Sequence, residues 1–489
     1  MVGTDARTWA WRKNAARYGW AEVPRATQVF ASSEDARSVT PPLHGSFAGM
    51  ADSASTCPYF GGCQPPDSAL AASSAWVVQG VNTSFAVYTS AGALQSGWPK
   101  SAQSFFNVPA PGTCDPLGPY MSDPRAVYDP VDGRFWLSAL QTEGAFGINA
   151  CPEQSTLWVA VSASSDPTST WSVYSFDLLA GTTNASDFAQ IGLDASAFYF
   201  SSNAFDSGGG SFQYAQTFAA SKATMEAGMP VVANGLTGIQ VAGKFVDTVQ
   251  PVLVEGTSAA AGLFVASQNI KGGGGNCVHG CKGIYAFAMA NPLTAPALTD
   301  VMAKSPLYML APLADQPNCA ACVETFDTRI SATPVYAGGL ITFALESGVS
   351  NGTQVVPGVY WGQLKPVLSG ATMHNAFLKQ TGVVSFSGDQ AASYGALMPD
   401  GADNVIMAFD TMSSTLAPGI EYAGRLASDP AGTFSTPIFV RHGSRTFDTS
   451  WGEYGATSYE GTATNKIWFA AEYGNTNGDW ATRIASTHF

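Results

Sequence analysis

The chain has 489 residues, too many for one small hydrophobic core, so it holds several domains or one large repetitive architecture. Only 12% of residues are charged and 46% are apolar, with 51 Gly and 29 Pro; this excludes a disordered chain and a helical bundle and favours sheet with many turns. A net charge of −14 excludes a nucleic-acid surface, which needs clustered Lys and Arg, and disfavours an acidic membrane surface.

Taken in chain order, residues 1–70 stand apart, with Trp9, Trp11 and Trp20 among Arg and Ala and then the Pro41-Pro42 and Pro65-Pro66 breaks. They are expected to form an arm packed on the main domain or a strand that closes it, with an interaction segment as the alternative. No run of eighteen apolar residues occurs, so no membrane span is expected. The first residues lack the basic and apolar regions of a signal peptide, which is read as removed or never present.

Residues 71–489 are expected to form one sheet domain. Short strand-like segments with an acidic or aromatic opening begin at Trp76, Asp123, Asp187, Asp247, Asp327, Tyr394 and Trp451, at spacings of 47, 64, 60, 80, 67 and 57 residues. Such spacings suit four-stranded blades with enlarged loops. A turn and a second apolar strand follow most openings, as at Asp129–Gly133 before Arg134–Leu137 and Glu460-Gly461 before Ile467–Ala470. Later strands are read at Leu157–Val161, Gly283–Phe287, Gly358–Trp361 and Ile420–Gly424. The glycine runs 208–210 and 272–275 are hairpin loops rather than phosphate cradles, because no Lys-Ser/Thr follows. The fold class is therefore all-β, a seven-bladed β-propeller with six or eight blades as alternatives; two β-sandwiches are disfavoured because no linker interrupts the openings.

Eight cysteines, Cys57, Cys63, Cys114, Cys151, Cys277, Cys281, Cys319 and Cys322, fall mostly in close pairs. Disulfides and a secreted or periplasmic location are expected; the alternative is a zinc cage made by Cys277/Cys281 with Cys319/Cys322.

The segment Ser164–Trp171 (Ser-Ser-Asp-Pro-Thr-Ser-Thr-Trp) resembles the Asp-box of sialidase-like propellers, with Thr168 where that family has Gly, and Ala427–Phe434 is a weaker echo. In that family the box is a structural turn between outer strands. The openings at Asp123 and Trp451, together with Pro65-Pro66-Asp67, are also similar to exported bacterial propellers without an assigned activity.

If the openings are innermost strands, their polar residues converge on a central channel. Asp123/Arg125 and Asp327/Arg329 share Asp-x-Arg; Asp187/Gln190 and Asp247/Gln250 share Asp-x-x-Gln. The sialidase resemblance, one of roles only, implies Arg125, Arg329 and Arg445 as an anion clamp, Tyr454 as nucleophile with Glu453 as its base, and Asp123 as acid. Asp327, Gln190, Gln250 and His442 complete the expected ligand-binding set. The competing reading is that these groups pair with each other and with backbone amides to tie adjacent blades together.

No metal ligands or cofactors are expected; a structural calcium at Asn475–Asp479 is the alternative to an ordinary turn. Gly348–Gly352 matches Gly-x-Ser-x-Gly but lies between strands and is read as a hairpin. Sequons start at Asn82, Asn184 and Asn351, and Trp98, Trp361, Trp468 and Trp480 are read mainly as packing residues. Function is expected to be binding of a glycan or another anionic ligand at the channel mouth, with hydrolase or lyase activity a possibility of the same set. The alternative is an extracellular interaction or adhesion scaffold, its partner a protein; an oxidoreductase is disfavoured for want of a haem or His signature.

Overall fold

A computed structural model of the chain describes residues 22–30, 40–58, 63–110, 113–114, 118–144, 151, 153–179, 181–207, 210–256, 260–268, 276–446 and 451–489. The described residues form six four-stranded sheets, one six-stranded sheet and two two-stranded ones, with two five-residue helices at Ala102–Phe106 and Lys222–Glu226. The molecule is an all-β propeller, its four-stranded sheets serving as blades. Among the described residues no helix is long and apolar enough to cross a membrane.

One blade shows why the sequence folds this way. Met121–Asp129, Arg134–Glu143, Gln154–Ser162 and Trp171–Asp177 pair antiparallel in chain order. The second strand is buried along almost its whole length, whereas the fourth alternates between half-buried and exposed positions. Blades stacked face to face cover their inner strands on both sides, so those strands need continuous apolar runs; only the rim strand faces water. Aromatic pairs fill the seams, as where Trp136 stacks on Phe198 of the next sheet with centroids 5.2 Å apart.

The strand Leu43–Ala51 pairs antiparallel with Trp480–Thr487 and completes the sheet that also holds Ala456–Tyr459 and Ile467–Gly474. Leu43–Ala51 falls within the segment read as an arm or closing strand, of which Trp9, Trp11 and Trp20 lie outside the described residues. In the six-stranded sheet, Gln28–Phe30 adds in parallel to Thr372–Phe386, and Leu253–Val254 adds in parallel to Val335–Ala337.

Several openings sit differently from expectation. Trp76–Val81 is a second strand; the first strand of its sheet is Ala69–Ala72, so the true opening there is Asp67. Asp247, Asp327 and Trp451 precede the strands Gln250–Pro251, Val335–Ala337 and Ala456–Tyr459 in irregular segments rather than lying in them. The segments at 157–161, 283–287, 358–361 and 420–424 are all third strands of their sheets. The glycine runs at 208–210 and 272–275 fall largely outside the described residues.

All eight cysteines form disulfides, Cys57–Cys63, Cys114–Cys151, Cys277–Cys281 and Cys319–Cys322. The alternative zinc cage is therefore corrected: its four thiols are consumed in two short-range bridges. Ser164–Trp171 joins the third and fourth strands of its blade, with Asp166 Oδ1 accepting from the Thr168 N–H at 2.8 Å and Trp171 Nε1 donating to Pro167 O at 3.0 Å. Ala427–Phe434 occupies the corresponding turn between Leu416–Arg425 and Ile438–Arg441. Gly348–Gly352 ends one strand of a hairpin.

Candidate functional site

Six of the seven openings pass through a residue with positive φ. Asp67, Asp123, Phe188, Thr248, Phe326 and Tyr394 all have φ between 50° and 58°, a left-handed conformation that disfavours residues with a Cβ by about 1–2 kcal/mol. Six such residues at equivalent places indicate that something local repays the strain. The repayment is a set of hydrogen bonds between sheets. Asn82 Oδ1 accepts from the Asp123 N–H at 2.8 Å, Asn203 Oδ1 from the Thr248 N–H at 2.9 Å, and Glu346 Oε1 from the Tyr394 N–H. Asp67 Oδ1 takes the Glu453 N–H at 2.7 Å, and Asp123 Oδ2 the Ala189 N–H at 3.1 Å.

Beneath this ring the channel is filled. The Arg125 guanidinium lies 3.3 Å from the Tyr454 ring centroid, and that of Arg329 lies 4.5 Å from Phe188 and 4.4 Å from Phe326. Phe188 and Phe326 stack at 5.5 Å. Arg329 Nε bonds both carboxylate oxygens of Asp327, at 2.8 and 3.0 Å. Arg125 donates to Ala189 O at 3.3 Å and Ser331 O at 3.0 Å; its Nη2 has no acceptor among the described residues. Tyr454 donates its hydroxyl to Pro124 O at 3.0 Å. Gln250 donates to Ser331 O and Ala332 O at 3.3 and 3.1 Å, while Gln190 Nε2 is buried without a partner among the described residues. The space left beside Arg125 and Thr333 is about 20 Å³, no more than a single water requires.

Charge at the mouth is acidic. Burial, and then repulsion from Asp187 and Glu453, pushes the Asp123 carboxyl up to about 7, against the pull of Arg125. Burial, then Glu453 and Asp123, hold Asp67 well above the ordinary range, and burial, with Asp187 opposing ionisation, raises Glu453. Burial also lifts Tyr454 far above the range of a free phenol. Burial works against the charge of Arg329, but Asp327, Asp247 and Glu453 more than offset it. The Asp67 and Asp123 carboxyl groups and both guanidinium groups are buried.

The structure thus brings Asp123, Arg125, Asp327, Arg329, Gln250, Glu453 and Tyr454 together. Arg445 and His442 are exposed in the segment after the rim strand Ile438–Arg441, and His442 stacks on Phe439 at 3.8 Å. Arg445 therefore makes no third member of a clamp with Arg125 and Arg329. Sequence reasoning missed Asn82, Asn203, Phe188, Phe326 and Glu346. Asn82 had been read only as a sequon; its amide is committed to Pro65 O and Asp67 Oδ2, both at 2.7 Å. The signal for Phe188 was its place directly after an opening acid.

The other candidates resolve into structure. Asn475 Oδ1 accepts from the N–H groups of Asn477 and Asp479 at 2.7 and 3.2 Å, the pattern of an Asx turn. Asp129, Asp132 and Glu226 group within metal-ligand reach of one another, yet Lys222 Nζ bridges them, 2.5 Å from Asp132. Trp361, Trp468 and Trp480 are buried, and Trp98 is half-buried under Lys100.

No protein-family model matches the chain, and no curated protein does. Solved structures are similar at the level of fold. An α-L-arabinanase of Penicillium chrysogenum complexed with arabinobiose is 7% identical, with 92% of this chain and 99% of that one covered and a TM-score of 0.43. A Trypanosoma rangeli sialidase in complex with sialic acid is 11% identical over 81% of this chain, with a TM-score of 0.37; only 55% of the sialidase is covered, so the chain spans about half its length. Drosophila Plexin A in complex with Semaphorin 1b is 9% identical, covering 92% and 87%, with a TM-score of 0.38.

Proposed function

We propose that this chain is an exported, non-catalytic β-propeller that works as a binding scaffold, and that the six-stranded sheet is its seventh blade. The observation that carries the reading is the use made of the groups expected to do chemistry. Tyr454 and Arg329 are buried and occupied, the one on Pro124 O and the other on Asp327. A nucleophile must reach its substrate, and an anion clamp needs free guanidinium donors facing the ligand. Four disulfides fit an extracellular setting, and the turn at Ser164–Trp171 fits an Asp-box in its structural role.

The test is turnover of a glycan panel rich in uronic and sialic acids, run beside thermal unfolding of Arg329→Ala and Tyr454→Phe. The expected outcome is no turnover by the wild type and a lowered unfolding midpoint in Arg329→Ala. Turnover by the wild type that is lost in a folded Tyr454→Phe variant would overturn the proposal.

A further inference from the structure

Every first strand runs from its opening to a turn at the other end of the channel, and there the molecule is hollow. Turns from five sheets, those at Pro130-Val131, Glu255-Gly256, Ala337-Gly338, Pro399–Asp403 and Tyr459–Ala463, enclose a cavity of about 470 Å³. That volume is within the range of small-ligand sites.

The wall has a definite chemistry. Among the described residues no Lys, Arg or His lines the cavity, although Lys466 Nζ lies 3.5 Å from Glu460 Oε1, whereas Glu255, Asp400, Asp403 and Glu460 do line it. Two of these four are already used. Asp400 accepts from Asn404 and Asn465 side chains at 2.9 and 3.0 Å and from the N–H groups of Ala402 and Asn404; Glu460 accepts from Trp468 Nε1 and Thr464 Oγ1, both at 2.5 Å. The other two are not. Among the described residues the carboxyl groups of Glu255 and Asp403 make no hydrogen bond or ion pair; Glu255 Oε1 is sealed off, so Oε2 is the oxygen that Glu255 offers the cavity.

The two free carboxylates also belong to one small unit. The Glu255 N–H donates to Tyr336 O at 2.9 Å. Two residues on, Gly338 adopts φ +56° and comes so close to Asp403 that a Cβ there would sit 2.1 Å from Asp403 Oδ1. Glycine is required at this point both for the left-handed turn and for the approach. Pro130, Val131, Pro399 and the Tyr459 ring supply the apolar part of the wall, suited to a hydrocarbon stem.

We propose that this cavity binds an alkylammonium group, held between Glu255 and Asp403 with its methylene stem on the proline and tyrosine wall. The group arrives either on a free polyamine or on a lysine side chain of a partner protein, which share this chemistry. The site lies at the opposite end from the filled channel mouth and does not depend on the scaffold reading.

Titration calorimetry with spermidine, and separately with a Lys-Gly-Lys peptide and its Nε-acetylated twin, tests the proposal on the purified full chain. Saturable binding of spermidine or of the unacetylated peptide is expected, and whichever binds more tightly names the source. Glu255→Gln and Asp403→Asn should each weaken that binding by at least about tenfold, the worth of one hydrogen bond to a charged group. Asp300→Asn, outside the cavity lining, should leave it unchanged. Thermal unfolding of each variant separates lost binding from lost folding. Absence of binding by wild type at millimolar ligand, equal binding of the acetylated peptide, or binding indifferent to both substitutions would overturn the proposal. So would calcium competing at equal or lower concentration, which would make the site a metal site.

Discussion

The two ends of the channel are built from the same strands and differ in how their polar groups are spent. At the openings most carboxyl, amide and guanidinium groups are consumed between neighbouring sheets, Arg125 Nη2 and Gln190 Nε2 excepted, and aromatic rings fill the lumen. At the opposite end, short turns from five sheets leave about 470 Å³ with two unengaged carboxyl groups. The difference teaches that concentration of charge along a sequence does not mark a binding site; a group is available only where neighbouring backbone leaves it unsatisfied.

The broadest way to strain this arrangement is pH. Burial pushes Asp123 up to about 7 and Glu255, Asp410 and Glu421 up to about 8. In each case the folded state holds its proton more tightly than the unfolded chain does, so this stabilisation is complete below about pH 4 and is lost as pH rises through 7–8. Unfolding midpoints measured in one buffer series should fall between pH 5 and pH 8; a midpoint that rises across this window would contradict the burial of these carboxyls. Next in size is Arg329→Ala, which leaves Asp327 as an unpaired buried charge and should cost about 3–5 kcal/mol by denaturant titration. Asn203→Ala removes the acceptor for Thr248 and the donor to Asp247, with an expected loss of about 1–3 kcal/mol. Smallest is Asp166→Ala at the exposed rim turn, expected near about 0.5–1 kcal/mol; if it exceeded Asn203→Ala, the ranking of channel over rim would be reversed.

Much of the sheet was legible in the sequence. Continuous apolar runs such as Ile467–Ala470 mark doubly covered strands, and third strands such as Gly358–Trp361 were located by the same signal. The opening at Asp67 was not legible, because Trp76 gives the stronger local strand pattern one position later in the sheet. Site residues were found where they sit on an opening and missed where they reach one from another sheet. Asn82 lies 41 residues from Asp123, and Glu346 lies 48 from Tyr394; no local period encodes such pairings. The vacancy of Glu255 was equally hidden, since nothing beside it in the sequence distinguishes it from Glu460, whose partners lie within eight residues.

The strand Leu43–Ala51 carries a kinetic consequence. Its partner Trp480–Thr487 is made by the ribosome more than four hundred residues later, as the Thr482 hydroxyl bonded to Met50 O, 432 positions away, illustrates. Loop closure over that span adds little to the equilibrium cost but delays the contact. Until it forms, the nascent protein exposes the edge of Leu43–Ala51 and the face of Ala69–Ala72 that will meet the final sheet. Those two segments are where a chaperone should bind during synthesis, and where premature association between chains should begin.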